Sequence, residues 1–99
     1  MAVPRYVRAT EFFVRLQREK YNYIETGNIV QAKWDMKAVM EQLDDDHLLK
    51  KLIQYFLLLS DDKSLKEFFN RYNDYLESML HTIQDRAARR AQREKTVKG

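Results

Sequence analysis

Four arginines near the carboxyl end of the chain are spaced so that a helix would present them together. Arg86, Arg89, Arg90 and Arg93 follow one another at steps of three, one and three residues. Residues three or four apart lie on the same side of a helix. A guanidinium group binds a phosphate or a carboxylate through two parallel hydrogen bonds. The spacing therefore predicts a cationic helical surface for an anionic partner such as nucleic acid.

The distribution of charge along the chain supports this prediction. Residues 85–99 hold six basic and two acidic residues and carry +4, whereas residues 1–84, with 12 Lys+Arg and 13 Asp+Glu, carry −1. Segregated positive charge suits a nucleic acid or an acidic protein surface. The alternative is a solvated terminus that only keeps the protein soluble. If all four arginines contact phosphates, affinity should fall with salt at a log–log slope of about −3 to −4.

The single tryptophan of the chain, Trp34, is a second candidate for function. It lies off the main apolar stripe of its predicted helix, roughly opposite to that stripe. Exposed Trp residues contribute strongly to binding at protein interfaces, so an exposed Trp34 predicts contact with a partner protein. The alternative is that Trp34 is buried against the first helix or against the connector 21–23, because a small core needs its large apolar groups.

Residues that support catalysis, metal binding or cofactor binding are sparse. The chain has no cysteine, and its two histidines, His47 and His81, lie in different predicted helices. The acidic run 44–46 lies at the start of a predicted helix. Consecutive side chains there point in different directions and do not converge on a metal ion, and helix capping explains the aspartates. No glycine-rich nucleotide loop or nucleophile motif occurs. We therefore predict no enzyme, no catalytic residue, no metal ligand and no cofactor.

The elements that position these residues are predicted to be helices. Only two Gly and one Pro occur among 99 residues, and no segment alternates like a strand. We predict an all-α fold, a compact four-helix domain with a long C-terminal helix and a basic extension. Residues 1–9 form an arm or first helical turn, residues 10–84 the helical domain and residues 85–99 the basic extension. The predicted helices run from the N-cap Thr10 to about Tyr21, from about Ile29 to Leu43, from the acidic run 44–46 to Leu59, and from Ser64 to about Lys95.

Local signals refine these helices. Gly27 is suited to positive φ, and Asn28 to capping the second helix. The third helix has the widest apolar arc, about 160°, and is predicted to be the most buried. The residues of this arc are Leu48, Leu49, Leu52, Ile53, Tyr55, Phe56 and Leu59. Ser64 and Glu67 have capping-box spacing at the start of the fourth helix. The inward row of that helix consists of apolar residues before the arginines begin: Leu65, Phe69, Tyr72, Leu76, Met79 and Ile83.

The apolar segments are too short for a membrane span. The longest, 52–59, is interrupted by Gln54 and falls far below the ~20 residues that a spanning helix needs. The first residues carry charges where a signal peptide would have its apolar stretch. We therefore expect no membrane association and a cytoplasmic protein, located in the host cytoplasm if it is phage-encoded. A core of this size has modest stability, and homodimerisation through an exposed apolar stripe would increase it.

The order of these patterns resembles the small all-helical domains of bacteriophage replication-organiser and helicase-loader proteins. The resemblance implies a non-catalytic adaptor that contacts a replicative helicase or another replication protein and touches DNA through basic segments. Such proteins often carry a winged-helix DNA-binding domain, and nothing of that kind fits into this chain, so origin recognition is not implied. The resemblance covers about residues 10–78 and rests on Lys33-Trp34, the helix with Met36, Val39, Met40 and Leu43, the acidic turn, the helix 52–59, and Ser64-Leu65 with Phe68, Phe69 and Tyr72.

Two functions follow as expectations. The first is a phage-type accessory protein of DNA replication that binds a partner protein through Trp34 and nucleic acid weakly through the basic C-terminus. The second is a protein–protein regulator, such as an inhibitor or a transcription-associated adaptor, whose basic residues contact an acidic protein surface and never nucleic acid. A structural helical dimer is a third alternative.

Overall fold

Four helices follow one another in the computed structural model, which describes the backbone of residues 3–98 and the side chains of residues 3–87. Helix α1 spans Arg5–Tyr21, α2 Ile29–Gln42, α3 Asp46–Leu59 and α4 Leu65–Lys98. The described residues contain no strand. The predicted all-α four-helix domain with a long C-terminal helix is therefore confirmed.

Helix α1 begins earlier than the sequence suggested. Its N-cap is Pro4, and residues 5–9 already belong to the helix. Thr10 is fully buried within α1, where its hydroxyl donates to the carbonyl of Tyr6 at 2.8 Å. The assignment of Thr10 as an N-cap is wrong, because the helix already begins after Pro4, which has φ −56° and ψ 148°, and no helix breaker lies between Pro4 and Thr10.

The connector between α1 and α2 uses asparagines for its two special positions. Asn22 ends α1 in the left-handed region at φ 52°, which Asn tolerates better than most residues. Gly27 does not have positive φ, so that expectation is wrong. Asn28 accepts a hydrogen bond from the backbone N–H of Gln31 at 3.2 Å, which confirms it as the N-cap of α2. In the same way, Asp45 caps α3 by accepting from the N–H of Leu48 at 3.1 Å.

Contacts at the two ends of the bundle define the helix directions. Arg5 at the start of α1 hydrogen-bonds to Asp46 at the start of α3. At the other end, the side chain of Gln17 donates to the carbonyl of Lys63, just before α4. Helices α1 and α3 therefore run in the same direction, and α2 and α4 run in the opposite one. Short connections produce this up-down-up-down arrangement.

The core is built around three phenylalanines from three helices. Phe13 of α1, Phe56 of α3 and Phe68 of α4 are each fully buried. Their ring centroids lie 5.1 to 6.0 Å apart, within the range of favourable aromatic pairs. Helix α3 contributes more buried apolar residues than either α1 or α2, in agreement with its wide apolar arc. One detail of that arc is wrong: Leu57 is fully buried and Leu59 is exposed.

A buried polar network joins the end of α1 to the start of α4. Gln17 is fully buried, and its Nε2 donates to Glu25 Oε1 at 3.1 Å. The same Glu25 oxygen accepts from the backbone N–H of Leu65 at 2.8 Å, and Glu25 Oε2 accepts from the N–H of Gly27 at 3.0 Å. Glu25 thus binds three donors from three segments. One carboxylate fixes the connector against α4 and satisfies a free N–H of its first turn.

The capping box at the start of α4 forms only in part. Ser64 Oγ accepts from the backbone N–H of Glu67 at 3.2 Å, as predicted. The reciprocal bond is replaced, because the N–H of Ser64 donates to Asp62 Oδ1 at 3.0 Å. Glu67 instead pairs with Arg71 at 2.9 Å along the helix surface. The N-terminus of α4 is therefore held by three different side chains: Glu25, Asp62 and Ser64.

Candidate functional sites

The apolar row of α4 becomes exposed to solvent before the first of the four arginines. Met79 is the last buried residue among the described side chains of α4. The next two apolar residues, Leu80 and Ile83, are 38% and 45% exposed. All described side chains from Ile83 to Ala87 are exposed. The inward row therefore ends one step before Ile83, the last residue predicted to pack.

The register between α3 and α4 shows where the bundle ends. The hydroxyl of Tyr55 lies 2.9 Å from Oγ of Ser78, so these residues stand at the same level. The two helices are antiparallel and each rises about 1.5 Å per residue. Asp46, the first residue of α3, is therefore level with about residue 87 of α4. The part of α4 that follows residue 87 lies beyond the start of α3.

Arg86 stands at this boundary with an exposed side chain. Among residues 3–87, no carboxylate forms an ion pair with it. The backbone positions of Arg89, Arg90 and Arg93 belong to the same continuous helix α4. The side chains of these three arginines lie outside the described residues. The helical spacing expected for the four arginines is thus present in the backbone, and their contact with an anion stays a prediction.

Trp34 forms an exposed aromatic pair with the first helix. Its ring stacks on Tyr6 of α1 with centroids 6.1 Å apart and planes 21° apart. The ammonium group of Lys37 lies 5.8 Å from the centroid of Tyr6 and 5.4 Å from that of Trp34. Although it contacts α1, Trp34 is 55% exposed, and Val30, one turn earlier on α2, is also exposed. The structure therefore offers an accessible Trp34, held in place on one side only.

The acidic run 44–46 is occupied by contacts within the protein. Asp45 caps α3, while the guanidinium of Arg5 pairs with both Asp44 and Asp46. The hydrogen bond from Arg5 is the main reason that the pKa of Asp46 lies below its ordinary value. Asp46 therefore stays ionised at neutral pH and neutralises Arg5. In residues 3–87, no group of three His, Asp or Glu side chains is arranged to hold a metal ion.

One concave surface was not anticipated. A groove of about 350 Å³ lies between α1 and α3 and is bordered by Arg8, Arg15 and Lys50. Arg8, Phe12 and Arg15 follow at steps of four and three residues, a spacing that places them on one face of α1. The sequence alone could have predicted this basic and aromatic face of α1. It could not have predicted that Lys50 of α3 lies beside that face, because this depends on how the two helices pack.

No helix in the described part of the chain is both long enough and apolar enough to cross a lipid bilayer. Comparisons with protein-family models, curated proteins and solved structures found no significant match to the chain. No relative therefore indicates a function, and the binding properties proposed below are argued from the fold and from the exposed residues.

Proposed function

We propose that this protein is a non-enzymatic accessory protein of DNA replication, of the phage helicase-loading or replisome-organising kind. In this proposal it binds a partner protein through the surface around Trp34 and binds nucleic acid weakly through Arg86, Arg89, Arg90 and Arg93. It needs no cofactor. The chemistry of the exposed residues supports the binding steps, and the resemblance of the helical pattern supplies the assignment to replication.

The observation that carries the proposal is the continuity of α4. A single helix runs from the aromatic core at Phe68 to Lys98, and its last segment, residues 85–99, carries +4. A rigid helix displays charges at defined spacing, so binding to a polyanion has a smaller entropic cost than it has for the same charges on a disordered chain. Phosphate contacts of this kind depend on salt and not on base sequence. The expected activity is weak and nonspecific binding to DNA.

The first test replaces the four arginines. Arg86, Arg89, Arg90 and Arg93 are changed together to Gln, and binding to a labelled DNA duplex is followed by fluorescence anisotropy at several salt concentrations. The wild-type protein should show a log–log salt slope of about −3 to −4, and the variant should bind about tenfold more weakly with a nearly flat slope. The control removes four exposed basic residues of the folded body: Arg18, Lys20, Lys51 and Lys66.

Equal losses in the two quadruple variants would contradict a role for the C-terminal arginines, because they would indicate a general effect of net charge. Unchanged DNA binding by the arginine variant, combined with loss of a protein partner, would favour the second function. In that case the protein is a protein–protein regulator, and its basic helix contacts an acidic protein surface.

The second test concerns the protein partner. Trp34→Ala should weaken capture of the partner from the native host by about tenfold, since an exposed Trp at an interface is typically worth more than 1 kcal/mol. Leu58→Ala is the matched control, because Leu58 is another exposed large apolar residue, on α3. Captured proteins are identified by mass spectrometry. Recovery of the same partner at the same level with both variants would argue against Trp34 as the anchor.

A further inference from the structure

The groove between α1 and α3 gathers positive charge, although residues 1–84 as a whole are nearly neutral. Its floor includes Leu49 and Ile53, which are buried. Four basic residues line it against two acidic ones, so the groove carries a net charge of +2. Residues 1–84 together carry −1. Like charges gathered around a concave surface with an apolar floor raise the local potential and attract anions. The lining charges are Arg5, Arg8, Arg15 and Lys50 with Glu11 and Asp46.

Only one of the four basic residues forms a salt bridge. Arg5 pairs with Asp44 and Asp46 at the end of the groove. By contrast, the basic groups of Arg8, Arg15 and Lys50 form no ion pair with a carboxylate of residues 3–87. Three unpaired cations along one groove are therefore available for a ligand.

Phe12 brings two of these cations together from different helices. The guanidinium carbon of Arg15 lies 6.0 Å from the centroid of the Phe12 ring, and the ammonium nitrogen of Lys50 lies 5.8 Å from it. Each contact is a cation–π interaction, which restrains the side chain above the ring. Both cations therefore lie within 6.0 Å of the centroid of one ring, Arg15 from α1 and Lys50 from α3. The ring thus restrains two cations that line the same groove, where both are available to an anion.

We propose that the groove between α1 and α3 binds the phosphodiester backbone of a single-stranded nucleic acid through Arg8, Arg15 and Lys50. A single strand presents unstacked bases as well as phosphates to such a groove, whereas a duplex presents only phosphates. The partly buried ring of Phe12 supplies an aromatic surface for a base, as in other single-strand binding grooves. The inference extends the proposed function but stands on different residues, since none of the C-terminal arginines lines the groove.

The test uses the full chain and a fluorescein-labelled oligothymidylate. Arg8→Gln, Arg15→Gln and Lys50→Gln are combined, and anisotropy is measured over a range of salt concentrations. Three lost phosphate contacts should weaken binding about tenfold and make the log–log salt slope shallower by about 2. The control combines Arg18→Gln, Lys20→Gln and Lys66→Gln, which removes the same charge from exposed positions outside the groove. It should stay within about twofold of wild type.

Two further measurements separate this inference from the proposed function. The first measurement adds the three groove substitutions to a protein in which Arg86, Arg89, Arg90 and Arg93 are already Gln. These substitutions should abolish the single-strand binding that this protein retains. This result supports the groove even if the C-terminal arginines prove inert. Phe12→Leu keeps an apolar side chain but removes the ring, and should weaken binding about threefold.

The inference is overturned if the groove variant binds the oligothymidylate as tightly as the control variant does. It is also overturned if the groove variant loses affinity equally for a duplex and for a single strand, because phosphate contacts alone would then account for the binding. Thermal unfolding followed by circular dichroism should show that all variants retain the wild-type fold, since the changed charges are exposed.

Discussion

Phe56→Ala should lower the free energy of unfolding by about 3–5 kcal/mol, the largest effect that we expect from a single substitution. Phe56 is fully buried, and its ring lies 6.0 Å from Phe13, 5.3 Å from Phe68 and 4.9 Å from Tyr75. Removal of the ring leaves a cavity where α1, α3 and α4 meet, and neighbouring aromatic rings are too rigid to fill it. A small domain has a total stability of only ~5–15 kcal/mol, so the variant is marginally folded.

Urea unfolding followed by circular dichroism measures this loss. Leu58→Ala is the matched control because it changes a large apolar residue two positions away on the same helix, and Leu58 is 66% exposed. It should alter the free energy of unfolding by no more than about 0.5 kcal/mol. Similar losses in the two variants would mean that α3 does not present Phe56 to the core.

Glu25→Ala should lower the free energy of unfolding by about 1–3 kcal/mol, the second largest effect. The substitution removes the acceptor of three hydrogen bonds, from Gln17 Nε2 and from the backbone N–H groups of Leu65 and Gly27. Gln17 is fully buried, and its Oε1 already has no partner in residues 3–87. Water does not reach the buried amide easily, so the lost bonds are poorly replaced.

The same urea experiment tests this network with two comparisons. Glu19→Ala removes an equal charge from an exposed position of α1 and should change stability by no more than about 0.5 kcal/mol. Glu25→Gln retains one acceptor oxygen and should lose less than Glu25→Ala does. If Glu25→Ala and Glu19→Ala are equally stable, the carboxylate of Glu25 does not hold the start of α4.

Local rules were sufficient to predict most helix boundaries. The caps Asn28 and Asp45 and the end of α1 at Tyr21 depend on residues close in sequence, whose side chains bond to nearby backbone groups. The failure at Thr10 shows the limit of such rules. A good capping residue can equally sit inside a helix with its hydroxyl bonded to a carbonyl one turn earlier.

Burial was harder to predict than helicity. Positions 57 and 59 near the end of α3 are both leucine, yet only Leu57 is buried. Periodicity defines which residues share a face of a helix, but not how far a neighbouring helix covers that face. The same reasoning applies to Trp34, which contacts Tyr6 and nevertheless stays 55% exposed.

The amino-acid sequence by itself determined the helices, the caps of α2 and α3 and the segregation of positive charge into residues 85–99, because these properties depend on neighbours within about four positions. Only the tertiary structure decided which cations lack partners and which stand together. Arg5 is paired with Asp44 and Asp46, while Arg15 and Lys50 each lie within 6.0 Å of the centroid of the Phe12 ring. The contacts of Arg5 with Asp44 and Asp46 and of Phe12 with Lys50 link residues 38 to 41 positions apart, and the packing of α1 against α3 brings them together.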